Sequence, residues 1–329
     1  MNFQCKNCGG NMIFAPAKQK MYCPYCEGED TERVVGDDSL SVCASCGAEV
    51  DPGEYKSSDK CPYCGNFLIF NKRVSDNYKP DAIIPFKLDK DMAVDTMDKE
   101  FKKRLFAPIT FLSEKTLEGM KGAYVPFFLY DFSSVSEFRG EGTKVRTWRS
   151  GDYDYTETSY YDVERRMEAT FDNVPADASI EMNDDTMDLM EPYDYNDLIS
   201  FDPKYLSGFF GEIYNDTSDK FVERARKKAS DSAETIMKAS IGGFNSLRTE
   251  IDRTTLTDEK VDYVLFPVWI YKYKYGGKDY NYYVNGQTGK VIGKTPVSKL
   301  KVVLYTIFSS ALLYVGIEAV LGIVEGVLR

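Results

Sequence analysis

All eight cysteines of this 329-residue chain fall in its first 64 residues, as four C-x-x-C knuckles: Cys5/Cys8, Cys23/Cys26, Cys43/Cys46 and Cys61/Cys64. Fourteen residues separate the first knuckle from the second and the third from the fourth, and each cysteine of the first set recurs after an offset of 38. The chain has therefore repeated one unit. The second knuckle of both copies reads CPYC, and glycine follows a knuckle at Gly9, Gly47 and Gly65, where a tight turn lets successive N–H groups point at a thiolate sulfur. Segments this short bury too little apolar surface to fold alone, so bound metal supplies much of their folding free energy.

Zinc suits the set, because it accepts a tetrahedral all-thiolate shell without redox chemistry. The expectation is two Zn²⁺ per chain, each closed by four cysteines, which leaves no open position for water or substrate. The chain has no histidine, so mixed Cys/His fingers are excluded. Disulfides call for an oxidising compartment, and the start MNFQCKNCGG shows no apolar signal region. A thioredoxin-like pair needs a βαβ context that is absent here, and the evenly repeated ribbon spacing favours zinc over an iron–sulfur cluster.

Charge bears on what such ribbons can contact. Residues 1–80 hold nine Lys/Arg and eleven Asp/Glu, and two filled four-cysteine sites bring the region to −6. Nucleic-acid binding rests on lysine and arginine contacts to phosphate, so the balance argues against it. The whole chain carries −11, and residues 152–202 alone carry sixteen acids against Arg165 and Arg166.

After Cys64 the polar run NKRVSDNYKP (71–80) reads as a linker. A short strand is expected near Ala82–Phe86 and a helix from about Asp89 to Leu105, with Ala93, Met97, Phe101 and Leu105 on one apolar face. The middle of the chain reads as mainly β, in keeping with 14% aromatic residues and 24 tyrosines. YVPFFLYDF (124–132) and LFPVWIYKY (265–273) look like copies of one strand, aligning Pro126 with Pro267, and further strands are expected near 143–149 and 155–171. A hairpin is expected at Asn285-Gly286 and a helix over about 218–240, capped by Ser218 and ended by Gly242-Gly243. The helix's basic run, Arg224, Arg226, Lys227 and Lys228, reads as a solvated face or as a partner for the acidic segment. The expected class is α+β: tandem zinc ribbons over 1–70, a linker over 71–80, a β-rich α+β domain over 81–298 and a membrane-anchor helix over 299–329.

Gly286-Gln287-Thr288-Gly289-Lys290 only superficially resembles a phosphate loop: Val284 stands where the first glycine is needed and Val291 follows the lysine. Without histidine, and with every cysteine assigned to metal, the usual nucleophile–base pairs cannot form. Paired carboxylates such as Asp184/Asp185 lie in an acidic stretch where surface charge is the simpler reading, and the spacing fits no EF-hand loop. The expectation is a protein that is not an enzyme.

Val302–Val324 is the second strong signal: 23 residues with only Glu318 charged, about 34 Å as a helix and enough to span a bilayer. A buried or interfacial helix is the competing reading, since Glu318 and Glu325 weaken the apolar run. Ala311, Glu318, Gly322 and Glu325 share a face, and Gly322/Gly326 match the small-residue spacing of a helix pair, which suits a homo-oligomer or another transmembrane helix. Lys290, Lys294, Lys299 and Lys301 precede the span and only Arg329 follows, so the positive-inside rule puts the N-terminal part in the cytoplasm. That compartment also keeps thiolates reduced for zinc.

The tandem ribbons, VPADAS (174–179), MEPYDYNDLISFDPKYLSGFFGEIY (190–214) and FPVWIYKYKYGGKDYNYYVNGQTGKV (266–291) together resemble the bacterial TFIIB-type zinc ribbon-containing proteins, some of which carry a primosomal or replication-restart helicase label. The missing phosphate loop gives that label no support in this chain. The resemblance implies association with membrane scaffold proteins of the SPFH type. Two functions are therefore expected in competition: a single-pass, membrane-anchored adaptor presenting cytoplasmic protein-interaction surfaces, and a nucleic-acid-associated ribbon factor of replication or transcription.

Overall fold

The computed structural model describes residues 1–36, 42–75, 78–108 and 119–327, with backbone alone at 184, 319 and 323–327. Its organising feature is a set of three very long strands: β8 (Lys121–Ser150), β9 (Tyr153–Asp177) and β12 (Ser246–Tyr275). β8 is central, antiparallel to β9 through the tight turn at Gly151-Asp152 and antiparallel to β12 on its other side. At the usual rise a 30-residue strand runs on the order of 95 Å. The strands expected at 143–149 and 155–171 are the outer parts of β8 and β9.

The inner halves of these strands are apolar on both faces. Tyr124, Phe128, Tyr130, Leu265, Trp269 and Tyr271 point one way into the larger core, and Val125, Phe127, Leu129, Val264, Phe266 and Val268 point the other way into a second. Successive side chains alternate across a strand, so a run buried at every position forms only where both faces are covered. The two resembling segments lie side by side, and equivalent residues Val125 and Phe266 are paired. This places a local two-fold between them.

Around this frame the main sheet runs β10-β7-β12-β8-β11-β5-β6. Here β10 is Ile199–Ser200, β7 Ala82–Ile83, β11 Phe210–Glu212, β5 Lys56–Lys60 and β6 Phe67–Ile69. β13 (Lys278–Asn285) pairs with β12, and β14 (Val291–Gly293) with β13. β5 and β6 belong to the second cysteine unit. Hydrogen bonding thus runs unbroken from the ribbon region into the rest of the chain, across the boundary drawn at residue 70. Within 71–80, Asn71–Arg73 forms a 3-10 turn and Val74 and Pro80 are buried.

Helix α1 (Lys90–Lys102) is capped by Asp89, which accepts from the Met92 N–H, and buries Ala93, Met97 and Phe101 as the stripe requires. Leu105 falls beyond its end and is exposed. α2 is the short helix Asp184–Met190 and α3 spans Val222–Ser240. Ser218 does not cap α3: it opens a 3-10 turn, Ser218–Lys220, ahead of it. Ala225, Ala229 and Ala233 let α3 lie close on the sheet, and Met237 and Ile241 continue the contact onto Phe138 and Val163. The basic run meets the acidic segment in part: Arg224 reaches Asp188 at 2.5 Å, and Lys228 reaches Asp188 and Glu191 at 2.6 Å, while Lys227 pairs with Asp231 on the exposed face.

A two-residue turn joins β12 to β13 at Gly276-Gly277, both in the left-handed region. The hairpin expected at Asn285-Gly286 joins antiparallel β13 and β14, through a loop longer than two residues that is closed by the Asn285 N–H on the Lys290 carbonyl at 2.9 Å and by the Asn285 side chain accepting from Gln287 and Thr288. The phosphate-loop lookalike is therefore a hairpin connection. Helix α4 (Lys299–Val327) closes the chain.

Candidate metal centres

Each knuckle is a turn with the same hydrogen bonds. The first cysteine's N–H donates to the carbonyl five residues on (Cys5 to Gly10, Cys23 to Gly28, Cys43 to Ala48, Cys61 to Asn66), at 2.8–2.9 Å. Its carbonyl accepts from the residue after the second cysteine, which is Gly9, Glu27, Gly47 or Gly65, at 2.8–2.9 Å. All four of these residues adopt positive φ, at 75, 62, 73 and 76°. Three are the glycines that the pattern singles out. Glu27 takes the same strained conformation without glycine's freedom, a departure hidden by its residue type.

The turns bring the sulfurs together. In each unit the four Sγ atoms lie within 4.8 Å of one another. Cys5 and Cys26 stand 3.6 Å apart, Cys8 and Cys23 3.5 Å, Cys43 and Cys64 3.7 Å, and Cys46 and Cys61 3.9 Å. A tetrahedron with Zn–S bonds of about 2.3 Å has edges of about 3.8 Å. A disulfide would need about 2.05 Å. All eight cysteines are thus placed as the spacing requires, Cys5, Cys8, Cys23 and Cys26 in one site and Cys43, Cys46, Cys61 and Cys64 in the other. The donor sets fit zinc in number, type and spacing.

Electrostatics within the clusters also favour a cation. The Thr31 hydroxyl, 3.3 Å from Cys5 Sγ, and the N–H groups of Cys8 and Asn7 lower the Cys5 thiol to about 6. Against its burial, the N–H groups of Cys64 and Tyr63 draw Cys61 down to about 7. Their neighbours hold on to protons. Cys26 is pushed up to about 12, the Gly28 N–H being outweighed by its hydrogen bonds with Cys8 and Cys5, and burial followed by contact with Cys61 and Cys43 pushes Cys64 up to about 12. Touching thiols cannot all ionise alone, and a divalent ion supplies the missing positive charge. Thr31 is a supporting residue that cysteine spacing gives no means of finding.

The two sites are built in differently. The first knuckle of each unit contributes one buried and one exposed cysteine, and so does the second. The first unit has its own small sheets, β1 (Asn2–Cys5) with β4 (Glu32–Val35) and β2 (Ile13–Ala15) with β3 (Lys20–Tyr22). Its Phe3, Met12, Phe14 and Met21 are part of the larger core. The second unit surrounds Cys43 and Cys61 with a separate cluster of Val50, Leu68 and Phe70.

The remaining expected sites are dispersed. Asp185 pairs at 3.7 Å with Arg224, and the Asp184 side chain lies outside the described residues. α4 includes a stretch, Lys299–Gly322, that is long and apolar enough to cross a membrane, none of it buried against the rest of the protein. Glu318 on it is exposed and Gly322 has open space beside it, whereas the surroundings of Glu325 and Gly326, and Arg329 altogether, lie outside the described residues.

Fold and sites together define a β-rich α+β protein with two four-cysteine clusters placed to hold metal ions and an apolar C-terminal helix. The chain belongs to the family of the uncharacterized protein YdjG of Bacillus subtilis (strain 168), with which it shares 30% identity over 319 residues, 92% of each chain. No protein-family model matches it. No solved structure matches it either.

Proposed function

We propose that the protein is a membrane-anchored, non-enzymatic adaptor: α4 crosses the bilayer once, the zinc-stapled body stands on the cytoplasmic side, and the long strands carry its interaction surface. The observation that carries this reading is α4 itself. Its spanning stretch makes no buried contact with the body, and an apolar helix of that length left in water would be a large exposed patch. The lysines before and at its start, Lys294, Lys299 and Lys301, orient the body inward. The resemblance to TFIIB-type zinc ribbon-containing proteins supports the ribbon assignment and an SPFH-type scaffold as partner.

The outer parts of β8 and β9 suit such a role. Beyond Gly142 they leave the body as an exposed hairpin that carries Trp148 stacked on Tyr155, with rings 5.5 Å apart, beside Tyr153, and Tyr160 on the opposite face. Aromatic side chains on a rigid ribbon give contact area at little entropic cost. Fractionation tests the reading. Full-length protein is expected to sediment with membranes and to resist alkaline extraction, and a chain ending at residue 298 is expected to stay soluble. A photo-crosslinker in place of Trp148 is expected to capture an SPFH-type scaffold protein. A soluble full-length protein refutes the anchor, and an unlabelled scaffold refutes the partner.

A further inference from the structure

A cavity of about 320 Å³ opens where the second cysteine unit joins the main sheet. Four adjacent strands build its floor. Lys56 on β5 lies opposite Glu212 on β11, Phe210 lies beside Ala123 on β8, and Lys121 lies opposite Ile270 on β12. Opposed residues share a sheet face, as do alternate residues along one strand, so Lys272 joins the same group. Strand pairing, with the β5–β11 register shifting between Gly211 and Glu212, therefore brings three lysines and Glu212 to the cavity, which Asp59 on β5 and Glu181 from the loop after β9 also line.

These groups are only partly satisfied by one another. Glu212 is 8% exposed, and one of its oxygens accepts from the Ser179 hydroxyl at 2.6 Å while the other has no hydrogen-bond partner among the described residues. Lys56 is paired with Asp59 at 2.5 Å. The Lys121 ammonium sits 5.0 Å from the Phe210 ring centre, and neither Lys121 nor Lys272 has a carboxylate within ion-pair distance among the described residues. Two ammonium groups without an ion pair among the described residues, beside a buried carboxyl satisfied on one oxygen, call for a ligand in a cavity of this size.

We propose that this cavity binds a phosphate group, its oxygens held by the ammonium groups of Lys56, Lys121 and Lys272 and by the carboxyl of Glu212. Phosphate fits better than a carboxylate because it offers enough oxygens for four convergent groups and shares a proton readily with a buried carboxyl. Burial, only partly offset by Ser179, raises Glu212 to about 7, with Glu181 pushing further up and Lys272 and Lys56 pulling down. Asp59 and Lys121 also line the cavity, and Asp177, Tyr263 and Tyr283 are further titratable groups near it. Beside a bound phosphate the neutral form of Glu212 is favoured, and it donates to the phosphate. Binding therefore takes up a proton and weakens as pH rises through the Glu212 transition. The site is independent of the adaptor reading.

Isothermal titration of zinc-loaded full-length protein in detergent with inorganic phosphate tests it. Lys121→Gln and Lys272→Gln are each expected to weaken binding on the order of tenfold, with zinc content and circular dichroism unchanged. Glu212→Gln is expected to keep binding and to lose the Glu212 share of the pH response, the ionisation of phosphate itself being common to both proteins, so that its affinity relative to the unmodified protein rises about tenfold between about pH 6 and about pH 8. Competition by glycerol phosphate identifies a soluble ester as the source, and competition by phosphatidylcholine vesicles only when they contain phosphatidic acid identifies a lipid headgroup. Absence of saturable phosphate binding, or unchanged affinity in both lysine variants, overturns the proposal.

Discussion

The two cysteine units are copies in sequence, yet each is joined to the body by a different kind of bond. The first pairs its strands only with one another, bonds outward by backbone at Met1 to Ile69 and at Phe14 to Ser207, and lends side chains, Phe3, Met12, Phe14 and Met21, to the larger core. It is pinned there by few polar contacts, among them the Phe14 N–H on the Ser207 carbonyl at 2.8 Å and the Ser207 hydroxyl on the Met12 carbonyl at 2.7 Å. The second keeps a private apolar cluster, lends the larger core Ile69, and above all lends backbone, extending the main sheet through β11, β5 and β6. One repeat can thus be incorporated by burial of area or by continuation of a hydrogen-bond ladder. The consequences for stability differ, because area is shared by every residue around it and a ladder only by its neighbours.

The largest expected effect comes from emptying the sites one at a time, since a structural zinc contributes about 10 kcal/mol or more to folding. Cys5→Ser with Cys23→Ser is expected to reduce bound zinc from two to one and to speed amide exchange across the whole core. Cys43→Ser with Cys61→Ser is expected to remove the same amount of zinc but to speed exchange mainly in β5, β6 and β11. Metal analysis and hydrogen exchange by mass spectrometry read both, and identical exchange footprints for the two pairs would erase the distinction.

Phe14→Ala comes next. Phe14 is buried against Tyr205, with ring centres 4.9 Å apart, and truncation is expected to lower global stability by about 3–5 kcal/mol in chemical denaturation. Leu68→Ala in the private cluster is expected to leave the global midpoint nearly unchanged while loosening the second unit. Equal shifts for the two would show that the second unit is no more separable than the first.

The smallest effect is at Glu27, the non-glycine residue at a left-handed knuckle position. Glu27→Gly is expected to relieve about 1 kcal/mol of backbone strain, offset in part by glycine's greater freedom when unfolded, and so to raise zinc retention against a chelator slightly. A decrease would mean that the Glu27 side chain matters more than its backbone.

Much of this was readable from residues. Cysteine spacing locates both sites because four ligands at fixed steps leave few other arrangements, and the stripe Ala93, Met97, Phe101 locates α1 because one face of a helix must be apolar to pack. Leu105 continues the periodicity past the point where the helix ends, and residue type alone does not show the stop. The outer half of β12 was harder: residues 246–262, rich in Thr and charge, are wet on both faces and lose the alternation that marks a half-buried strand, whereas the outer parts of β8 and β9 are among the expected strands. The joining of β5 to β11 pairs residues more than 150 positions apart, and no local pattern encodes it. The Lys56, Lys121, Lys272 and Glu212 cavity is invisible for the same reason: its members meet only through register.

The hairpin of β8 and β9 has a mechanical consequence. Its hydrogen bonds lie across its length, so a load applied between the Gly151 turn and the α4 root pulls the strands in shear, and many bonds resist together rather than parting one by one. With α3 laid along one side as a brace through Met237 and Ile241, the ribbon works as a stiff strut. In the adaptor proposed above, a partner at its tip and a bilayer around α4 would be kept at a set separation, and tension between them would be delivered to the tyrosine-rich core where β8 and β12 cross into the body.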